Sequence, residues 1–417
     1  MDVLTNPPGK ITPSPWPVVW ALSVTEIISW GTLYYAISVL IAPIEQELGW
    51  SRDTIVGAFS LSLLFAGMGA FPIGILIDRL GGRVVMAVGS FASALLLVLL
   101  SQTQSIQGFY LIWAGLGLTM AMVLYEPAFA VITAGFGSDA RKAITTLTLA
   151  GGLASTVFWP LTQGIVSALG WRYALIVLAS LNLLVCAPLH VFFLPASSDK
   201  RPATRQETNK PGPDRKASAL GLILKTRAFW MLAVAFAANM FAYSSLSVHL
   251  IVMLQEKGFS IDNAVWLAAL IGPMQVFGRI GEFTIGSRYR AQQVAFFALA
   301  LLPIALIGFN FAGSAWGMVV VFVAVCGSSN GIMTIARGIM TATIFGSEHY
   351  GAVNGALSAP VIASRALGPL IGSIVWSRFG NYDAVLWLLT AVALLAVVSF
   401  SFAISTAKQV RHPRFIS

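Results

Sequence analysis

The feature that most constrains this chain is a series of long apolar segments. A helix needs about 20 mostly apolar residues to cross the hydrocarbon core of a bilayer. The sequence offers twelve such segments, at residues 17–43, 53–77, 84–101, 106–135, 143–168, 171–194, 227–255, 261–287, 291–311, 314–345, 349–377 and 382–406. Charged residues make up 10% of the chain, against about 25% in ordinary soluble domains. We therefore predict an all-α membrane protein with twelve transmembrane helices, numbered in chain order.

The basic residues predict how these helices are oriented. Of the 25 Lys and Arg residues, eighteen fall on the side that holds both termini, four fall on the opposite side and three lie inside helices. Because cytoplasmic loops are rich in Lys and Arg, both termini are predicted to be cytoplasmic. The expected divisions are a tail (1–16), a six-helix bundle (17–194), a polar linker (195–226), a second six-helix bundle (227–406) and a second tail (407–417).

Several other classes of protein are not expected. The net charge of +9 would suit nucleic acid, but no basic patch is interleaved with aromatic residues, so nucleic-acid binding is not predicted. Cys186 and Cys326 both lie in apolar runs, which argues against a disulfide framework, a metal site or another cofactor. No catalytic metal motif or Ser/His/acid set is apparent, so an enzyme is not expected. The N-terminal residues lack signal-peptide features, so helix 1 is expected to be retained.

The two halves of the chain are similar at a constant offset of 209 residues. The offset pairs Tyr34 with Tyr243, Ser38 with Ser247, Gly49 with Gly258, Gly69 with Gly278 and Pro160 with Pro369. Two parallel six-helix repeats, with substrate held near the bilayer midplane between them, resemble the arrangement of the major facilitator superfamily.

The loop between helices 2 and 3 also resembles that superfamily. It reads Gly74-Ile-Leu-Ile-Asp78-Arg79-Leu-Gly81-Gly-Arg83 and is similar to the signature G-x-x-x-D-R-x-G-x-R. The resemblance implies that Asp78, Arg79 and Arg83 form cytoplasmic ion pairs that latch the outward-facing state. The equivalent loop of the second half, FTIGSRYRAQ, lacks the Asp, so the latch is expected to be asymmetric.

Six charged residues lie inside predicted helices, namely Glu26, Glu126, Arg279, Glu282, Arg337 and Arg365. Each costs about 2.5–3.5 kcal/mol at a helix centre on insertion scales, so each is a candidate for function. At about 100° per residue, Gln275, Arg279 and Glu282 form one polar stripe on helix 8, which is expected to face a cavity. The three arginines predict a positive cavity for a small anion, because Arg can hold a carboxylate through two parallel hydrogen bonds.

Neighbouring residues supply candidates for the cavity wall and for proton coupling. The wall candidates are Trp30, Tyr34 and Tyr35 in helix 1, Tyr125 in helix 4, and Asn239 and Tyr243 in helix 7. The proton-coupling candidates are Glu26, Glu126 and Glu282, because a carboxylate in the membrane can carry the proton that drives transport. His249, near the outer end of helix 7, is interpreted as an interfacial residue.

Structural roles are the alternatives for some of these charges. Arg279 could pair with Glu282 on its own helix. Arg337 lies about two turns from the cytoplasmic end of helix 10 and could reach the surface or brace an inner gate. The repeat places Glu126 opposite Ile335, two positions from Arg337, so an acid–base contact across the cavity is a further alternative.

One stretch resembles a particular branch of the superfamily. The segment ISWGTLYYAISVLIAPIEQELGWSRDTIVGAFSL (28–61) is similar to the helix 1–2 region of monocarboxylate transporters and their bacterial relatives, which include oxalate:formate antiporters. In those proteins a helix 8 arginine, preceded four residues earlier by a polar residue, binds the substrate carboxylate. The resemblance implies this role for Arg279 with Gln275, and Arg365 is a counterpart, displaced by about a turn, of the exchanger's second basic residue. Gln275 and Tyr35 depart from the acidic residue and the lysine of the animal members.

These observations predict a monomeric, multi-pass transporter of the bacterial inner membrane. It is expected to move a small, monocarboxylate-like organic anion by alternating access coupled to protons. The alternative is a proton-driven exporter of amphipathic drugs or small toxic anions. Drug exporters of the superfamily often carry G-x-x-x-G-P in helix 5, whereas LTLAGGLASTVFWPLTQG has no Gly-Pro pair. A further alternative is a sensor that keeps the fold without transporting, and such a protein would be expected to carry an added soluble domain.

Overall fold

The computed structural model describes residues 16–136, 139–196, 223–346 and 350–410. Long helices fill these ranges and keep the predicted numbers: α1 Trp16–Leu48, α2 Arg52–Leu80, α3 Gly82–Gln102, α4 Ile106–Phe136, the run Ala140–Phe193, α7 Arg227–Glu256, α8 Ile261–Thr284, α9 Ala291–Asn310, α10 Trp316–Phe345, α11 Tyr350–Phe379 and α12 Tyr382–Val410. The predicted ends agree with these bounds to within five residues. Most of the predicted tails (1–16 and 407–417) and of the predicted linker (195–226) lies outside the described residues.

The run Ala140–Phe193 contains two helical arms, α5 (140–169) and α6 (171–193), on either side of Gly170. Gly170 has φ 80° and ψ 165°, a conformation that glycine adopts without strain. The run starts near Trp16, whose ring lies 5.4 Å from Lys142 Nζ. It then reaches the far end of α1, where the Trp171 indole donates to Glu47, and returns. By length and hydropathy, eleven helices of the described ranges could cross a membrane, and the predicted count of twelve rests on dividing this run.

The internal repeat appears in the backbone at the first turn of each half. Gly49 ends α1 with φ 66°, and Gly258, 209 positions later, follows α7 with φ 92°. Both values lie in the left-handed region that favours glycine. The hydroxyls of Ser51 and Ser260 then cap the next helices by accepting from the backbone N–H groups of residues 54 and 263. The two halves therefore use the same local chemistry at equivalent positions.

The helices form a first half (α1–α6) and a second half (α7–α12) that pack along each other. We call the end of the bundle that holds Leu48 and Arg52 the distal end, and the end that holds residues 196 and 223 the linker end. Large apolar side chains cover the outside, and those of Phe71, Leu111 and Phe192 are more than three-quarters exposed. Such a surface suits contact with lipid, as in a multi-pass membrane protein.

Candidate functional site

Arg279 is a buried cation at the boundary between the two halves. It lies with Gln275 on the second piece of α8 (Ile271–Thr284), and each residue is 5% exposed. The Arg279 guanidinium donates from Nη1 to the carbonyl oxygen of Thr148 on α5, in the first half. Arg279 Nε is buried and has no hydrogen-bond acceptor among the described residues. A buried donor on a charged group is costly to leave unpaired, so this atom is suited to an incoming anion.

Glu282 lies on the same helix, one turn beyond Arg279, but does not pair with it. The ion pairs within the described ranges are Arg52–Glu45 and Arg172–Glu47. Glu282 is half-buried, and its charged neighbour is an arginine of the other half, Arg141. The alternative in which Arg279 is neutralised by Glu282 is therefore wrong.

Arg365 approaches the same boundary from α11. Its guanidinium carbon lies 5.2 Å from the centroid of the Trp30 ring and 5.1 Å from that of the Tyr34 ring, both on α1. A guanidinium at this distance from an aromatic face is held by a cation–π attraction. The Tyr34 hydroxyl shares a hydrogen bond of 2.9 Å with Ser247 of α7, so α1 contacts the second half twice here.

Two tyrosines connect the arginines. Tyr35 lies beside Gln275 and within electrostatic range of Arg279 and Arg365. Tyr125 lies beside Arg279 and close to Tyr35. Six predicted substrate contacts thus come together: Arg279, Gln275, Arg365, Tyr34, Tyr35 and Tyr125. Gly151 accommodates the close approach of α5, since a Cβ there would lie 2.4 Å from the present position of the Tyr125 hydroxyl and would displace it.

Two irregular helical turns present these side chains. Trp30–Tyr35 is a π-helical turn inside α1, in which the Ala36 N–H donates to the Gly31 carbonyl five residues earlier. A π turn brings residue i+5 over residue i, and so places Tyr35 near Trp30. In α4, Leu124 is extended (φ −87°, ψ −163°), and a new helical piece begins at Tyr125. Neither irregularity was predicted from the sequence.

Glu26 lies one turn before the π turn and is fully buried. Neither of its carboxylate oxygens makes a hydrogen bond with the residues that the structure describes. Its neighbours include Trp30 and Glu126, and Glu126 itself is exposed at the break in α4. Two of the three candidate proton carriers therefore lie close to each other and beside the tyrosine and arginine cluster.

One predicted wall residue on α7, Tyr243, makes its hydrogen bond within the second half. The Tyr243 hydroxyl donates to the Cys326 carbonyl of α10 at 3.2 Å, inside the second half. Asn239 is 6% exposed, and its side-chain oxygen has no partner in the described ranges. The bond to Cys326 ties Tyr243 to α10, whereas Ser247 of the same helix shares a hydrogen bond with Tyr34 across the boundary.

Comparison with known proteins settles the family. The sequence profile of the Major Facilitator Superfamily matches residues 22–291, more than half of the chain. The chain belongs to the Major Facilitator Superfamily. Its members are transporters, which bind small substrates within a membrane, so this chain is a superfamily transporter.

The relatives include two kinds of transporter. The chain is 26% identical to monocarboxylate transporter 4 of Mus musculus over 361 residues, which cover 81% of this chain and 71% of that protein. It is 21% identical to the multidrug resistance protein MdtG of Citrobacter koseri over 408 residues, with 93% and 96% covered. A crystal structure of the nucleoside transporter NupG matches with a TM-score of 0.73 at 12% identity, covering 93% of this chain and 99% of that one. The last likeness supports the fold alone.

The residues of the superfamily signature lie at the linker end. Asp78 and Arg79 are exposed at the end of α2. Arg83 Nε donates to the Leu194 carbonyl at 2.5 Å, a contact within the first half. Arg337 of α10 donates to the Ser358 hydroxyl of α11 at 3.4 Å, within the second half. The gating roles of these four residues remain predictions.

The hydrogen bonds at the distal end join the two halves of this superfamily transporter. Arg52 of α2 forms a bidentate pair with Glu45, donates from Nη1 to the Tyr382 hydroxyl at 3.1 Å, and lies 3.9 Å from the Trp376 ring centroid. Asp53 accepts from the hydroxyls of two α11 serines, at positions 373 and 377, at 2.6 and 2.7 Å. We refer to Arg52, Asp53, Trp376 and Tyr382 as the distal latch. By its position in the sequence, Arg52 is one of the four basic residues predicted on the side opposite the termini.

His249 supports the distal latch from within the second half. The His249 side chain is 0% exposed within the protein, and its position at the membrane interface stays a prediction. Its Nε2 lies 2.9 Å from the Pro369 carbonyl, and its Nδ1 lies 2.9 Å from the Tyr382 hydroxyl. A carbonyl only accepts, so Nε2 carries the proton, and the neutral ring accepts at Nδ1 from Tyr382. Tyr382 in turn accepts from Arg52.

Proposed function

We propose that the chain is a secondary active transporter that moves a small, monocarboxylate-like organic anion by alternating access. The observation that carries this proposal is the state of Arg279, a buried guanidinium with no carboxylate partner in the described ranges and an unpaired Nε. An anion that accepts from Arg279 neutralises a charge that is otherwise expensive in the membrane. Arg365 supplies a second positive group at the same boundary.

The position of the site suggests how binding is linked to movement of the two halves. Arg279 belongs to the second half but donates to Thr148 of the first. Tyr35 belongs to the first half but lies near Arg279 and Arg365 of the second. An anion held by these groups contacts both halves, so its binding changes their relative energies. In this proposal the transporter is a monomer of the bacterial inner membrane, with twelve helices in two parallel repeats. Its termini are cytoplasmic, and its distal end faces the outside.

Glu26 and Glu126 are the proposed route for proton coupling. When both carboxylates are ionised they repel each other, and the Glu26 charge is in addition buried away from water. Uptake of one proton relieves that repulsion beside Trp30, whose ring holds Arg365. Protonation of this carboxylate pair is therefore linked, through Trp30, to the arginine that helps to bind the anion. Glu282, on the other side of Arg279, remains a third candidate.

The second candidate function is proton-driven export of amphipathic drugs or small toxic anions. It is favoured by the similarity to MdtG, which covers 93% of this chain, and by the aromatic side chains around Arg365. In that case the same arginines bind the exported anion and the direction of net transport is outward.

The experiment is uptake of labelled lactate, pyruvate, acetate and oxalate by proteoliposomes under an inward proton gradient. Protein-free liposomes correct for passive entry of the protonated acids. The matched variants are Arg279→Gln and Arg378→Gln, since Arg378 is an exposed arginine at the end of α11. Saturable uptake that survives Arg378→Gln and is lost with Arg279→Gln supports the proposal. Equal transport by both variants, or no uptake by the wild type, contradicts it and leaves the exporter as the leading candidate.

A further inference from the structure

The candidate site is lined by a continuous group of aromatic rings. The Trp30 ring centroid lies 5.2 Å from that of Tyr34, 6.4 Å from that of Tyr35 and 5.1 Å from that of Tyr125. Tyr125 is in turn stacked on Phe129, with an angle of 7° between the rings. We call Trp30, Tyr34, Tyr35 and Tyr125 the ring wall. Three of its members come from one short turn of α1 and the fourth from the start of a helical piece of α4.

The π turn in α1 is what makes this wall continuous. In a regular α-helix, residues i and i+4 share a face whereas i+5 points away from it. The i→i+5 hydrogen bonding of Trp30–Tyr35 brings Tyr35 back beside Trp30. Such π turns are frequent at functional sites.

The ring wall also differs from the packed aromatic residues of the first half. Phe59, Phe109 and Trp159 are fully buried, whereas Trp30, Tyr35 and Tyr125 are partly exposed and Tyr34 is 7% exposed. The indole N–H of Trp30 is buried and lies close to the Glu26 carboxylate, so the ring rather than the N–H is what Trp30 offers at the boundary. The wall therefore presents apolar ring surface at the boundary that also holds the two arginines.

We propose that the site binds an aromatic carboxylate, an acid group carried on a flat ring, in preference to a short aliphatic acid. This inference rests on the proposed function, in which the acid group lies at Arg279 and Arg365. The group attached to that carboxylate then meets the ring wall. An aromatic ring gains offset-stacked and edge-to-face contacts there, and it covers apolar surface that acetate or lactate leaves in contact with water.

The test is competition at equilibrium with the purified transporter in detergent, which avoids the passive entry of benzoic acid into liposomes. Unlabelled benzoate, phenylacetate, acetate and lactate displace labelled benzoate from the wild type. We expect benzoate and phenylacetate to compete at concentrations at least tenfold below those of acetate and lactate, since several ring contacts each contribute a factor of about 2 to 10.

Variants of Trp30 assign the selectivity to the ring wall. Trp30→Leu is expected to lower the preference for benzoate over acetate by about 3- to 10-fold, and Trp30→Phe, which keeps a ring, to retain most of it. The matched control is Trp20→Leu, because Trp20 lies on the same helix and is 59% exposed. The preference of Trp20→Leu for benzoate over acetate is expected to equal that of the wild type.

The outcomes separate this inference from the proposed function. If acetate and lactate bind as tightly as benzoate to the wild type, the aromatic preference is refuted while carboxylate binding stands. The same holds if Trp30→Leu binds acetate normally and keeps the full preference for benzoate. If no carboxylate binds at all, the proposed function fails and this inference fails with it.

Discussion

Removal of one arginine should open the distal end of the transporter. Arg52 contacts the second half through Tyr382 and Trp376, whereas its pair with Glu45 lies within the first half and persists when the halves separate. A hydrogen bond to a charged group contributes about 1.5–3 kcal/mol, and a cation–π contact contributes about 0.5–2 kcal/mol. Arg52→Ala is therefore expected to destabilise the state with the distal end closed by about 2–5 kcal/mol relative to the state with it open. The ratio of open to closed molecules should rise about 30-fold or more.

The assay is the distribution of distances between two spin labels at the distal end, one on each half. Gln104 and Ser314 are exposed loop residues there and accept cysteine substitutions, while the native Cys186 and Cys326 are buried. We expect Arg52→Ala to move the population towards longer distances. The matched control is Arg172→Ala, since Arg172 bonds Glu47 and the Ser101 carbonyl, all within the first half. An unchanged distribution in Arg52→Ala, or an equal shift in both variants, refutes the assignment of a latch.

Three further predictions follow from other contacts. Tyr382→Phe removes the hydroxyl that accepts from Arg52 and donates to His249, so it should also lengthen the distances between the two spin labels. The double variant Arg52→Ala with Tyr382→Phe should lengthen them by less than the sum of the two single effects. Glu26→Gln should abolish the response of uptake to a proton gradient and preserve anion exchange at equal pH. A normal response to the gradient would show that a residue other than Glu26 carries the proton. Gly278→Ala should lower the free energy of unfolding by about 1–3 kcal/mol, because the added Cβ would lie 2.3 Å from the Ser328 carbonyl oxygen. Gly281→Ala should be neutral, because a Cβ added there would meet no atom within 4 Å. Melting of the two glycine variants in detergent compares them directly, and equal melting temperatures would contradict the tight α8–α10 contact.

The helices were predictable because their lengths are set by the bilayer and their ends by local chemistry. Ser51 and Ser260 are capping residues placed just before apolar segments. The grouping of Arg279, Gln275 and Arg365 was also predictable, since charged residues in a membrane helix face the protein interior. These properties depend on composition and periodicity, which a sequence contains directly.

The remaining features depend on how the helices pack. Asn239 and Tyr243 were both predicted to line the cavity, but Tyr243 bonds to the Cys326 carbonyl of its own half. Ser247 of the same helix is the residue that bonds to Tyr34 across the boundary. The π turn at Trp30–Tyr35 is a change in hydrogen-bond register that composition does not mark. The roles of Arg52 and His249 arise from contacts with residues more than 100 positions away.

The central claim is that Arg279 and Arg365 together hold a carboxylate between the two halves. The most direct test is equilibrium binding of labelled pyruvate and labelled benzoate to purified wild type, Arg279→Gln, Arg365→Gln and Arg378→Gln in detergent. We predict saturable binding of at least one acid by the wild type and by Arg378→Gln, and at least a tenfold loss of affinity in each of the other two variants, since a charged hydrogen bond is worth about 1.5–3 kcal/mol. Binding of wild-type strength by Arg279→Gln and Arg365→Gln would contradict the claim.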